Sequence, residues 1–179
     1  MNRPDVHAAR RMSVLSCVNR LEIGPLLAHA GDDLLEVARR CSRQPQTRVV
    51  GVVDNEERLV GILPILRIVE DVIVRVDPEA LMAAITDVED VARFSHALEA
   101  RTAGDAMLPP ASVGTEATVG EAFRVMQQRR VSGLYVTDRD ARVVGYLDLL
   151  ELAVLYVDVL EPPAEPPSGD VQQASPEFS

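Results

Sequence analysis

The stretch Val131–Leu152, VSGLYVTDRDARVVGYLDLLEL, decides how the chain is read. It opens with a short apolar strand ending at Asp138, turns through the polar Arg139–Arg142, and returns as a second strand, Val143–Leu147, that runs into a helix. A short charged turn between apolar, β-branched flanks is the pattern of a strand–turn–strand unit. Gly145 inside the second strand leaves room for a backbone or a ligand to approach closely. The chain repeats this text. Thr47–Ile68, TRVVGVVDNEERLVGILPILRI, lies over it without a gap, so that Asp54 falls on Asp138 and Gly61 on Gly145. The segments just upstream correspond too: Leu34, Val37, Ala38 and Cys41 in the first copy, Val119, Ala122, Phe123 and Met126 in the second. Both sets have the i, i+3, i+4, i+7 spacing of one buried helix face. Two copies of a unit that cannot cover its own apolar face predict halves packed on one another.

These residues resemble a tandem pair of cystathionine-β-synthase (CBS) domains, the arrangement called a Bateman module. The resemblance rests on GLYVTD and GYLDLLE in the second copy and on VVGVVD and GILPILR in the first, where the ligand positions are degraded. It implies an α+β fold of two β-α-β-β-α repeats packed on each other, with a helical insert between them. The resulting divisions are an N-terminal extension (1–20), a first repeat (21–69), the insert (70–101), a second repeat (102–160) and an acidic, Pro-rich tail (161–179) that reads as disordered.

Composition narrows the function. The 179 residues are 47% apolar, ample for a buried core, and carry a formal charge of -10. A nucleic-acid surface needs a basic face for counterion release, and the 3% aromatic content offers no stacking platform. Nucleic acid is therefore excluded as a partner. No apolar run reaches the roughly 18 residues of a membrane span. Arg10-Arg11 before MSVLSCV is too short a run for an export signal, so the expectation is a cytoplasmic chain. Cys17 and Cys41 are then reduced thiols, Cys41 on the predicted core face.

Along the chain, Asp33 or its neighbours cap a helix Leu34–Cys41, and strands Arg48–Asp54 and Arg58–Leu63 follow. A helix with Pro64 in its first turn continues through Val76 and ends before Asp77-Pro78. In the insert, Asp77 is a candidate N-cap, and Leu81, Ile85, Val88, Ala92 and Leu98 give a helical stripe. The insert is either a local extension packed on its own domain or on a sister subunit, or a docking surface for an effector protein. His29 and His96 stand alone and read as surface residues. In the second repeat, Ala111–Val113 is a strand, Thr118 or Thr115 a cap and Val119–Gln128 a helix. The last helix, running through LAVLYVDVL, is apolar nearly all round and is expected to pack on its own sheet and on a second copy, making a homodimer.

No catalytic constellation is present: there is no glycine-rich phosphate loop, no nucleophile with a base in convincing context, no pair of histidines at metal-ligand spacing. The chain reads as a non-enzyme that requires no cofactor. Asp148 and Glu151 form the only concentrated carboxylate site inside the motif, either a solvated first helical turn complementing the helix dipole or a ligand site. The resemblance implies the ligand role, with AMP, ATP or S-adenosylmethionine in the cleft between repeats. Glu151 would hold the ribose hydroxyls, backbone groups of Ser132, Gly133, Leu134 and Tyr135 the adenine, and Val113 an apolar contact. Asp148 stands where many members carry a threonine that meets phosphate. A carboxylate about 4 Å from a phosphate charge opposes binding by up to ~4 kcal/mol at an effective dielectric near 20. In the first repeat Pro64 and Arg67 occupy these positions, and no ligand of this type is expected there; Arg67 either grips a phosphate across the cleft or pairs with a neighbouring acid. The overall expectation is a regulatory or ligand-sensing protein; the alternative is a structural dimerisation or docking module that has lost nucleotide binding.

Overall fold

The computed structural model describes residues 10–160, apart from residue 22, residue 78 and residues 80–85. In chain order the first half holds α1 (Val14–Leu21), β1 (Leu27–His29), α2 (Leu34–Arg43), β2 (Val49–Val53), β3 (Leu59–Pro64) and α3 (Ile65–Val76). Then come α4 (Val88–Glu99), α5 (Ala103–Ala106), β4 (Ser112–Gly114), α6 (Val119–Arg129), β5 (Gly133–Thr137), β6 (Val143–Asp148) and α7 (Leu149–Leu160). The tail from residue 161, expected to be disordered, lies outside the described residues.

The chain forms two three-stranded sheets, β1-β2-β3 and β4-β5-β6, each with one parallel and one antiparallel pairing. The repetition extends to backbone detail. Each antiparallel pair shifts register at one place, between Val52 and Val53 and between Val136 and Thr137. Each hairpin has one residue at φ 62°, Glu57 and Ala141. Asp54 accepts from the N–H groups of Glu56 and Arg58, and Asp138 from those of Asp140 and Arg142. The repeated aspartates thus hold tight turns, as Asx residues do. The helices start on caps legible in sequence: Asp33 accepts from Leu35 and Glu36 N–H, and Thr118 forms a capping box with Glu121.

Alternation along the strands sends one face of each sheet toward the other repeat and the other toward helices. Tyr135 of β5 reaches across to Gly51 of β2, where an added Cβ would stand 2.8 Å from its ring. Leu134, Leu147 and Met126 pack into one core and Val50, Leu63 and Val37 into another.

The two repeats exchange segments. Helix α1, in the N-terminal extension, packs on the second repeat: Val14 and Cys17 are fully buried in its core, and a Cβ at Gly145 would meet Val18 Cγ1 at 2.6 Å. In return, α5 and Met107, which lead into β4, pack on the first repeat, and a Cβ at Gly61 would meet Met107 Cγ at 2.9 Å. The close approach expected at Gly145 is therefore made by a helix of the same chain. Main-chain bonds stitch both exchanges: Val14 N–H to Ala117 O and Val119 N–H to Met12 O on one side, Leu34 N–H to Arg101 O and Gly104 N–H to Ala30 O on the other.

The insert differs from its expected stripe. Asp77 closes α3, its N–H donating to Ile73 O at 2.7 Å, and the helix it was expected to cap falls largely outside the described residues. Helix α4 begins on Asp87, whose carboxylate accepts from Asp90 N–H. Val88 is 84% exposed, while Ala97 and Ala100 face inward, because α4 lies on α3 through its small residues. Leu81 and Ile85 lie outside the described residues.

Candidate functional site in the second repeat

Strand β6 delivers Asp148 to the N-terminus of α7, and the helix then presents Glu151 one turn on. Asp148 is not solvated: its side chain has no exposure at all. Its carboxylate accepts from Leu150 N–H at 3.0 Å, accepts from Tyr146 Oη at 3.2 Å, and pairs with the guanidinium of Arg48. Glu151 Oε2 lies 3.7 Å from the same Arg48 nitrogen, a second and looser ion pair, and shares a proton-mediated contact with Asp148. Burial, and then hydrogen bonding with Glu151, pushes the Asp148 carboxyl up to about 6. The same hydrogen bonding holds Glu151 below its ordinary value. The two carboxyls titrate as a pair, and burial disfavours the charge more on Asp148, which has no exposure, than on the partly exposed Glu151.

Arg48 arrives from the first repeat, in the segment entering β2, and changes the electrostatics of the cleft. The bare carboxylate charge expected to repel a phosphate is neutralised in place by a guanidinium. What opposes an anion here is the work of separating that ion pair.

The remaining candidates are placed as follows. Val113, at the centre of β4, is 8% exposed and pairs with Val136. Ser132 is half-buried, its carbonyl accepting from Leu149 N–H at 2.7 Å, and it lines a cavity of about 560 Å³ with Phe123, Met126, Val131 and Leu149. Gly133 pairs with Asp148, and a Cβ there would stand 2.7 Å from Tyr146 Cζ, so the tyrosine ring needs a glycine beneath it. Leu134 is fully buried in the helix-facing core. Tyr135 N–H is already spent on Ala111 O.

The first repeat's cleft is filled by the second repeat. Tyr135 Oη lies 2.8 Å from both the Leu26 and the Val49 carbonyl oxygens, and Tyr146 Oη accepts from Arg48 N–H at 3.2 Å. Leu26, Arg48 and Val49 correspond in the repeat to Ala111, Ser132 and Gly133. The residues that correspond to the two tyrosines are Gly51 and Ile62, which have no hydroxyl to return. Burial raises both phenols, so they stay protonated as donors. Pro64 ends β3, and Arg67 turns along α3, its Nε 3.6 Å from Asp71 and its Nη2 3.1 Å from His96 Nδ1.

Sequence reasoning missed Arg48 and Tyr146. Tyr146 carried a signal, since two of only three tyrosines fall directly opposite one another in β5 and β6. Arg48 carried a weaker one, as the charged residue opening an apolar strand.

Among the described residues, no helix is long and apolar enough to cross a membrane. Residues 103–158 match the family model described as the CBS domain. No curated protein matches the chain in sequence. Solved structures do match. A CBS domain-containing protein from Thermotoga maritima has 20% identity and a TM-score of 0.64, over 81% of this chain and 94% of that one. CBSX2, solved in complex with AMP, has 13% identity and a TM-score of 0.60, over 77% and 91%. The CBS domain pair of protein MJ0100, solved with 5-methylthioadenosine and S-adenosyl-L-methionine, has 18% identity and a TM-score of 0.55, over 76% and 94%. At such identities the likenesses speak for the fold.

Proposed function

We infer that this chain, which carries a CBS domain over 103–158 and has the fold of a CBS-domain pair, is a non-catalytic regulatory protein that senses one adenosine-type ligand per chain. The observation that carries this reading is the inequality of the two clefts. In the first, backbone groups are consumed by Tyr135 and Tyr146. In the second, Glu151 keeps a carboxylate at the mouth of α7 whose charged partner, Arg48, stands off at 3.7 Å, an acceptor suited to a ribose diol. Complexes of two proteins of the same fold with adenosine compounds support that choice of ligand class. AMP, ATP and S-adenosylmethionine are the candidates to titrate, with melting temperature as readout and calorimetry for stoichiometry. One site per chain, lost in Glu151→Ala, is the expected result; two equal sites overturn the reading.

Homodimerisation completes the proposal. Helix α3 exposes Leu66, Val69, Ile73 and Val76, and α7 exposes Leu150, Val154 and Val157. These are corresponding helices of the two repeats, and a second copy would cover both stripes. The Arg48–Asp148 pair favours one other reading, in which the second cleft is closed for good and the protein serves as a docking module. The insert, with Val88 and Val91 exposed on α4, would then face an effector protein. Absence of binding by all three ligands selects it.

A further inference from the structure

Building on the adenosine-ligand reading, we propose that Arg48 is an internal counter-ion closing the second cleft, and that a ligand phosphate enters by taking Arg48 from Asp148 while Asp148 gains a proton from solvent.

Arg48 can serve both partners. Its side chain is 37% exposed, whereas the Asp148 side chain it pairs with has no exposure, so the Arg48 side chain reaches a buried acid while remaining partly open to solvent. A guanidinium carries five N–H donors in a fixed fork, and phosphate is a better bidentate acceptor than one carboxylate oxygen. Once Arg48 turns to a phosphate, Asp148 retains Leu150 N–H and the Tyr146 hydroxyl and faces Glu151, a second acid that also disfavours its charge. An ionised carboxylate left in that position is strongly disfavoured, and a buried acid escapes the penalty by taking up a proton.

The surrounding groups assign that proton. Arg48 faces Asp148 from the segment entering β2, Tyr146 from β6 and Glu151 from α7, while the neighbouring strand β5 offers Gly133, which has no side chain. Burial raises the Tyr146 phenol, so it keeps its own proton, and Glu151 is held below its ordinary value, so it stays ionised for the ribose. Asp148, already pushed up to about 6, is the group that changes state. The cleft therefore selects adenosine 5′-phosphates over uncharged adenosine, and more strongly as pH falls toward 6.

The test is calorimetry on the full chain with AMP and with adenosine at pH 7.0, in two buffers of different ionisation enthalpy, for the wild type and Asp148→Asn. Asparagine keeps an acceptor for Leu150 N–H, and an unchanged melting temperature verifies the fold. The wild type should take up more protons with AMP than Asp148→Asn does; protonation of the ligand's own phosphate is common to both proteins and cancels. Asp148→Asn should bind AMP about tenfold tighter, a gain of roughly 1.4 kcal/mol, with adenosine little changed. Arg48→Gln, a second variant at the other partner, should erase the preference for AMP over adenosine. Equal gains for AMP and adenosine, or equal proton uptake by wild type and Asp148→Asn, overturn the inference and leave the adenosine site standing. Failure of AMP and adenosine to bind the wild type and both variants overturns the inference, and the adenosine site itself falls with it if ATP and S-adenosylmethionine fail as well.

Discussion

Asp54 and Asp138 are the most legible residues of the chain, because each satisfies backbone donors within four positions of itself, and local chemistry is written locally. The Arg48–Asp148 pair is the opposite case. Its members are 100 positions apart, and no spacing rule brings them together until the two sheets have packed. Asp71 lies between these cases. Its acid partner role for Arg67 was one of two open readings, but the pair is poor: both carboxylate oxygens are buried without a hydrogen bond, and Arg67 Nε stands off at 3.6 Å. Burial raises the Asp71 pKa more than Arg67 lowers it. The native state therefore holds this proton more tightly than an unfolded chain, in which Asp titrates near about 3.9. The resulting stabilisation is complete below that pH and is lost as pH rises through the raised native value. Asp71→Asn should accordingly gain about 1–3 kcal/mol at pH 7.5, with the advantage fading toward pH 4. Melting temperatures at the two pH values decide it, and a lower value for the variant at pH 7.5 would mean that the imperfect ion pair still outweighs its desolvation.

At the scale of elements, capped and periodic segments were readable, and segments whose partner is distant in sequence were not. Thr118 and Asp33 cap the helices expected of them. Helix α1 went unassigned although Val14, Cys17, Val18 and Leu21 follow helical spacing, since nothing local says that its apolar face belongs to the second repeat. In the described part of the insert the stripe is out of phase: Val88 and Ala92 are exposed, and α4 buries Ala97 and Ala100 instead, because the face that docks on α3 is the one lined by small residues. In α7 the apolar surround expected from sequence resolves into two faces, Leu152 and Leu155 inward and Leu150, Val154 and Val157 outward. A charge at Leu155 would unfold the domain, so dimerisation is better tested at Val154. Val154→Asp should convert a dimer to a monomer by light scattering with the melting transition still cooperative, whereas truncation after Pro162 should leave the dimer intact. A wild type that is already monomeric at micromolar concentration removes the proposal.

At the scale of the molecule, the duplication predicted the twofold arrangement of sheets, and its imperfections predicted that the two clefts would be unequal. Pro64 and Arg67 stand where the second repeat has Asp148 and Glu151. The physical agent of the inequality was beyond the sequence, because it consists of side chains from one repeat occupying the other: two hydroxyls pass toward the first repeat and one guanidinium toward the second. Each repeat is thus built partly as the other's ligand.

The exchanged segments have a consequence for how the chain can be divided. A cut between Asp77 and Thr86 yields two pieces, and neither owns a whole core: the first carries α1, which the second repeat needs, and the second carries α5, which the first repeat needs. Such pieces are complementary in the manner of a split reporter. Separately each exposes apolar surface and should be largely unfolded by circular dichroism; mixed, they should reassemble into one cooperatively melting species. Excision along the apparent repeat boundaries, 21–69 and 102–160, discards or misassigns these braces, so a duplication that looks like two modules in the text should melt as a single folding unit.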